Sequence, residues 1–411
     1  MATRQARGVL PFWRRGLPEM TLALSGIAQP PFDIDQTPDW WLVPGRLFDG
    51  EVISADRAIK ISAGKIAAIA PASEAEIDSA PVWHAPDLLL SPGFFDIQVN
   101  GGGGVMLNNV RTADGMWAIA SAHRPGGTTA LLPTLITERP EIMDEVVEAA
   151  LLAVGKGGVA GVHLEGPHIS VTRKGAHKAE YIHPINERTF AAVERLRAAN
   201  VPVLLTLAPE ENPDGAIARL VEMGVVVSIG HTAGDAASTR RAIAEGALSA
   251  THLYNAMTPL TSREPGVAGA VLDSDIYVGF IADGYHVDDA MLRLAFRARP
   301  TPDRMVLVSD AMSTWNGPDS FMLYGETIHL LAGKLVNQSG VLAGVHIDMA
   351  QSIRRLVHAI GWPLEDTLRM ATNNPARLMR LEDRIGFIRA GMPANLVLLD
   401  RDLATAAVVT V

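Results

Sequence analysis

The chain has 411 residues, of which 48% are hydrophobic and 19% charged, with a formal net charge of -10 and no cysteine. That length and apolar content exclude global disorder and suit a large barrel with a small companion domain. The acidic balance argues against nucleic acid as a partner, and the missing cysteine excludes disulfides and thiolate metal ligands.

Residues 1–38 are rich in Pro and polar residues, show no sustained period, and read as an N-terminal extension. Arg4, Arg7, Arg14 and Arg15 precede a short apolar stretch at 21–28. That stretch holds Ser25 and Gly26 and no small-residue cleavage site follows, so a loose extension is expected rather than a secretion signal, with Met20 a candidate natural start. No apolar run reaches the ~20 residues that span a bilayer, so neither a membrane span nor a membrane partner is expected. A cytoplasmic protein fits the reducing chemistry that a cysteine-free chain tolerates.

From residue 39 to 90 the pattern changes to short alternating segments. Residues 58–62 and 65–69, turning at Gly64, predict a β-hairpin. Residues 395–400 are also strand-like, and we expect 39–90 and 385–411 to form one small β-sandwich domain from both ends of the chain.

Between them, over 91–384, runs a strand-then-helix rhythm. Candidate strands fall at 94–99, 128–132, 161–165, 203–208, 225–230, 250–253, 277–282 and 305–309, with helical composition at 141–154 and 235–247 among the intervening segments. Eight such units predict an α/β fold, a (β/α)8 TIM-like barrel whose chemistry sits at the C-terminal ends of the strands. An open doubly wound sheet is the alternative. It lacks a glycine-rich dinucleotide loop opening a helix after the first strand, and the Gly101–Gly104 run reads instead as a flexible active-site loop.

Three motifs end such strands: His163-Leu164-Glu165-Gly166-Pro167-His168, Ser228-Ile229-Gly230-His231-Thr232 and Thr251-His252-Leu253-Tyr254-Asn255-Ala256-Met257. A carboxylate and two imidazoles, from Glu165, His231 and His252, suit Zn2+ or Fe2+ and can leave a position open for water. Asp310 closes the strand at 305–309, where a carboxylate can act as base. The combination points to metal-assisted hydrolysis. His163 shares the face of Glu165 and is expected to support or pack rather than to ligate. His123, His168 and His183 have no comparable partner set and read as surface or structural residues.

These motifs, with Ser91-Pro92-Gly93-Phe94-Phe95-Asp96, Leu132-Pro133-Thr134-Leu135-Ile136-Thr137, Lys174-Gly175-Ala176-His177, Arg263-Glu264-Pro265-Gly266, Ala282-Asp283-Gly284-Tyr285-His286 and Val308-Ser309-Asp310-Ala311, resemble the N-acetylglucosamine-6-phosphate deacetylases of the amidohydrolase superfamily. The resemblance runs in order from about residue 40 to the end. It implies Glu165, His231 and His252 as ligands of the catalytic metal and Asp310 as general base and then acid. It implies that His177 polarises the acetyl carbonyl, and that Arg263, His286 and the backbone of Asn255 and Ala256 hold a 6-phosphate. A homodimer is implied too, because in this family a neighbouring subunit can complete the phosphate site.

Many amidohydrolases carry His-x-His on the first barrel strand, where this chain has Gln98-Val99-Asn100. Neutral amides ligate Zn2+ or Fe2+ poorly. One divalent ion per chain is therefore expected, with Gln98 on the substrate side. Two further departures are a glycine-rich loop without the cysteine some relatives have, and a chain ending at Val411 where relatives continue through a short hairpin, so a trimmed small domain is expected. The expected reaction is removal of the acetyl group from N-acetyl-D-glucosamine 6-phosphate. The alternatives are another N-acyl sugar phosphate such as N-acetylgalactosamine 6-phosphate, a cyclic amide, or a non-catalytic sugar-phosphate-binding barrel. In the net acidic field of this chain, a phosphate must be met by a local cluster of Arg, His or backbone N–H groups.

Overall fold

The computed structural model describes residues 23–411. The readings made on residues 1–22, including the arginines and Met20, lie outside the described residues.

Eight parallel strands form the core of the molecule: β1 (Phe94–Val99), β2 (Thr128–Ile136), β3 (Val162–Glu165), β4 (Val203–Leu207), β5 (Val226–Ile229), β6 (Ser249–Ala250), β7 (Tyr277–Phe280) and β8 (Met305–Leu307). Each pairs with the next in chain order. Every residue in them except Tyr277 is buried. That is why their sequences are apolar runs rather than alternations: helices cover one face and barrel packing the other. β1 and β8 meet at a seam. Asp310 N–H donates to the Gln98 carbonyl (2.9 Å), Asn100 N–H to the Ala311 carbonyl (2.9 Å), and Ser309 N–H to the buried Asp96 carboxylate (3.2 Å). The parallel barrel is thus closed, as the strand–helix rhythm predicts.

Helices follow the strands with capping chemistry readable in the sequence. Pro140 opens Pro140–Ala153, where its missing N–H costs nothing. Asn186 caps Glu187–Ala198, and Asp235 caps Ala236–Ala244 in a capping box with Ser238.

Outside the barrel, strands from both ends of the described chain form a continuous eight-stranded sheet. Its order is Ala23–Gly26, Thr405–Thr410, Leu396–Leu399, Val82–Pro92, Asp39–Phe48, Arg57–Ser62, Lys65–Pro71, with Ile53–Ser54 beside Asp39–Phe48. The hairpin at Gly64 turns through two left-handed residues, Ala63 (φ 46°) and Gly64 (φ 74°), the geometry that matches strand twist. Trp40, Ile59, Ile61, Trp83 and Leu398 belong to its core. Strand Ala23–Gly26 pairs antiparallel with residues 407–410, so part of the expected extension belongs to this sheet. Val82–Pro92 runs through Gly93 into β1 and so ties the sheet to the barrel.

Two further features differ from the sequence expectation. Gly101–Gly102 and Val105–Met106 form a packed hairpin rather than a flexible loop. The Gly103 and Gly104 amides donate to Trp315 (2.7 Å) and Ser313 (2.8 Å) carbonyls, and a Cβ on Gly101 would stand 2.4 Å from the Val105 oxygen. After β8 a three-stranded antiparallel sheet appears: Ser320–Leu323, Glu326–Leu331 and Lys334–Val336. Its short, half-exposed strands carry little apolar signal, but Leu323, Ile328 and Leu335 pack with Met106, Ile136 and Met312 beside the C-terminal end of β2.

Candidate active site

Glu165 is the last residue of β3, while His231 and His252 each follow their strand by two residues and Asp310 follows β8 by three. His231 (φ 48°), His252 (φ 31°) and Asp310 (φ 51°) all occupy the left-handed region. Side chains with a Cβ resist that conformation at a cost of about 1 kcal/mol or more each, and such positions concentrate at functional sites. The early turn at His252 also explains why β6 ends at Ala250, before the expected residue 253.

These turns bring the side chains together. Glu165 Oε1 lies 3.1 Å from His252 Nε2 and 3.3 Å from His231 Nε2, and the two Nε2 atoms are 3.0 Å apart. All three residues are at most 5% exposed. His231 Nδ1 donates to the Arg173 carbonyl (2.8 Å), which leaves its Nε2 lone pair facing the cluster. His252 Nδ1 is buried with no partner among the described residues, so its protonation is set by whatever meets Nε2. Two imidazole nitrogens and a carboxylate oxygen converging at this range form a donor set that fits a divalent cation. Among the described residues, Glu165, His231 and His177 also offer atoms within 4.8 Å of one another.

Gln98 occupies the gap between the two carboxylates. Its amide nitrogen donates to Glu165 Oε1 (3.0 Å) and Asp310 Oδ1 (3.1 Å). Asn100 Nδ2 donates to the same Asp310 oxygen at 2.7 Å. The amides that stand in place of His-x-His therefore present N–H groups to carboxylates and have no lone pair on those nitrogens for a metal.

Burial opposes ionisation of Glu165, yet the hydrogen bonds and charges of His231 and His252 hold its carboxyl well below the usual range. Burial and the Glu165 charge push Asp310 up to about 7, against the pull of His252, Asn100 and His286. A divalent cation held by the neighbouring ligands would draw Asp310 back down, toward the carboxylate a proton acceptor needs. Burial, then the charge of His231, holds His177 well below the ordinary histidine range, so its ring is neutral.

The residues expected to hold a phosphate are not all brought together. His286 donates from Nδ1 to Asp283 (2.6 Å), which also accepts the Tyr285 and His286 amides. His252, Tyr254 and Ala256 alternate along the chain in left-handed conformation, and within this segment the Asn255 N–H donates to the His252 carbonyl (3.0 Å). The Ala256 carbonyl accepts from Thr232 N–H (3.1 Å). Arg263 is exposed, and among the described residues it forms no ion pair with Glu264 or any other carboxylate. It is not brought to the centre of its own chain.

His163 is fully buried between Thr134 (3.2 Å) and Thr206 (2.8 Å), outside the cluster. His168 and His123 are buried structural residues, not surface ones: His168 bonds the His183 carbonyl and Thr189, and His123 the Gly101 carbonyl. Sequence reasoning gave no role to Glu210, which clamps the loop after His231 through Thr232 (2.5 Å) and Ala233 (2.6 Å). A glutamate after a strand carries no signal that separates such a brace from a surface charge.

Comparison with known proteins identifies the family. The family model described as "Amidohydrolase family" matches residues 89–411. The chain is 38% identical over 356 residues to an N-acetylgalactosamine-6-phosphate deacetylase of Shewanella sp. (strain ANA-3), covering 85% of this chain and 89% of that one. It is 33% identical over 350 residues to the N-acetylglucosamine-6-phosphate deacetylase of Haemophilus influenzae, covering 83% and 90%. The crystal structure of N-acetylglucosamine-6-phosphate deacetylase from Pasteurella multocida superposes with a TM-score of 0.86 at 34% identity, over 90% of this chain and 98% of that one.

Proposed function

The chain belongs to the amidohydrolase family, and on that premise we propose that it hydrolyses the acetamide of N-acetyl-D-glucosamine 6-phosphate to D-glucosamine 6-phosphate and acetate, a step of amino-sugar breakdown. The observation that carries this reading is the convergence of Glu165, His231 and His252 within 3.3 Å, with Asp310 tied to the same centre through Gln98. A non-catalytic sugar-phosphate binder would have no use for a buried cluster of one carboxylate and two imidazoles beside the second carboxyl of Asp310.

Glu165, His231 and His252 would hold one Zn2+ or Fe2+ ion. Such an ion, when bound, polarises a carbonyl and makes water a nucleophile at neutral pH. Asp310 takes the proton from the attacking water and returns it to the leaving amine. His177 donates a hydrogen bond to the acetyl oxygen as negative charge develops there. Gln98 keeps Glu165 and Asp310 in register.

His286 and the backbone at Asn255 and Ala256 receive the 6-phosphate. The support is a His286 ring already oriented by Asp283. Arg263 completes this site from a second copy of the chain. Its own exposure supports that, as do exposed Leu260, Met291 and Leu294 lining a pocket of about 450 Å³ that also holds His286. A phosphorylated sugar does not leave a membrane-bounded compartment unaided, which supports a cytoplasmic setting for the reaction. Among the described residues no helix is long and apolar enough to cross a membrane.

The second reading is the C4 epimer, N-acetylgalactosamine 6-phosphate, favoured by the 38% identity to the Shewanella enzyme. Acetate release from the two sugar phosphates, compared as kcat/KM with metal-replete protein, decides between them. A larger value for the gluco sugar supports the first reading, and a larger value for the galacto sugar replaces it with the second.

A further inference from the structure

We propose that Thr137 is a positioning residue that fixes the tautomer of His177, making it a hydrogen-bond donor to substrate and removing it from the set of metal ligands. This rests on the reading of His177 as the group that meets the acetyl oxygen. Thr137 directly follows β2. Its backbone N–H points at His177 Nδ1 (3.3 Å), and its hydroxyl oxygen lies 2.7 Å from the same nitrogen. A backbone amide can only donate. His177 Nδ1 must therefore carry the lone pair, and the Thr137 hydroxyl hydrogen turns to it as well. The single ring hydrogen then sits on Nε2, the nitrogen left for the site.

His231 shows the opposite arrangement 4.4 Å away, measured between ring centroids. Its Nδ1 faces the Arg173 carbonyl, which can only accept, so Nδ1 bears the hydrogen and Nε2 the lone pair. Two backbone groups of opposite polarity thus give adjacent imidazoles opposite tautomers. One can ligate a cation and the other can only donate a hydrogen bond. Proximity alone would count His177 with Glu165 and His231 as a ligand, but the hydrogen on Nε2 excludes it.

The surroundings of Thr137 are built to hold this geometry. A Cβ at position 166 would stand 2.3 Å from the Thr137 hydroxyl oxygen, and Gly166 is itself left-handed (φ 84°). The glycine after Glu165 therefore makes room for the hydroxyl. From the three-stranded sheet, Tyr324 donates its phenol to the Thr137 carbonyl. Thr137 is held through its carbonyl while its N–H and hydroxyl both act on His177.

The test is 15N NMR of the His177 ring in Zn2+-loaded protein, with His177→Asn identifying its signals, together with kinetics of Thr137→Val and Thr137→Ser. The expected result is an Nε2–H tautomer in the parent. In Thr137→Val the amide contact at 3.3 Å remains but the closer hydroxyl contact at 2.7 Å is lost, so the Nε2–H tautomer should be held less firmly and kcat should fall by roughly tenfold with little change in KM or metal content, because a donor aimed at the oxyanion acts in the transition state. Thr137→Ser should recover most of it. An Nδ1–H tautomer in the parent, or a Thr137→Val variant with parental kcat, overturns the proposal. Should the parent release no acetate from either sugar phosphate, the functional reading fails by itself. The ring tautomer is read from the spectrum regardless of turnover.

Discussion

The Nε2 atoms of His231 and His252 stand 3.0 Å apart, nitrogen facing nitrogen, with one Glu165 oxygen 3.3 and 3.1 Å from them. With Nδ1 of His231 committed to the Arg173 carbonyl, its Nε2 brings a lone pair. A hydrogen on His252 Nε2 can bridge the two rings, but it leaves the Glu165 carboxylate without a cation. A proton serves one hydrogen bond, whereas a divalent cation satisfies both rings and the carboxylate together.

Metal count follows from the residues on β1. Gln98 and Asn100 turn their amide nitrogens toward carboxylates, so they leave no imidazole pair for a second ion. Elemental analysis of dialysed protein should return about one divalent metal per chain, and Glu165→Gln should lower that occupancy by removing the anionic ligand. Two tightly held equivalents would contradict the ligand assignment.

Asp310→Asn keeps the shape of the side chain but cannot accept a proton. We expect kcat to fall by roughly a hundredfold or more, with metal content retained. Turnover close to that of the parent in a metal-replete variant would remove Asp310 from the role of base.

Arg263→Ala tests the phosphate reading. A charge-assisted contact is worth about 1.5–3 kcal/mol, so KM for the phosphorylated sugar should rise by roughly tenfold or more. The weak reaction with the unphosphorylated sugar should hardly change. Equal losses on both substrates would make Arg263 structural. Co-expression of the Arg263→Ala chain with a chain inactivated at Asp310 adds a check on the dimer: activity of the mixed dimer should show one site with a restored KM.

Stability below neutrality depends on the buried histidines. Burial holds His168 down to about 4, against an ordinary 6.5. The unfolded chain binds this proton as pH falls through 6.5 and the folded chain does not until about 4, so stability is lost across that window. Asp96, pushed up to about 7 chiefly by burial, titrates with the opposite sign over much of the same range, so only a comparison with a variant isolates the histidine. His168→Asn should be less stable than the parent at pH 7, and the gap should shrink by roughly 3 kcal/mol at pH 4, at about 1.4 kcal/mol per pKa unit. Chemical denaturation at both pH values measures it, and a gap that does not change with pH would show that His168 titrates normally.

Much of the barrel was legible because a strand buried on both faces is mostly apolar, and eight such short runs recur between segments of helical composition. The candidate site was legible where chemistry ends a strand, as at Glu165, His231, His252 and Asp310. The three-stranded sheet at 320–336 was not, since half-exposed short strands lack a period, and its apolar contacts are with distant residues such as Met106 and Ile136. Nor was the packed state of Gly101–Gly104, which depends on carbonyls at Ser313 and Trp315 two hundred residues away in sequence. Thr137 was visible only as one letter of a motif, because its effect on His177 is carried by a backbone amide and by the space left at Gly166.

The most direct test of the central claim is acetate release from N-acetyl-D-glucosamine 6-phosphate by protein stripped with a chelator and then titrated with Zn2+ or Fe2+. The account predicts that stripped protein is inactive and that activity returns in proportion to added metal, levelling off near one equivalent per chain. Full activity in metal-free protein, or none at any metal loading with either sugar phosphate, would contradict it.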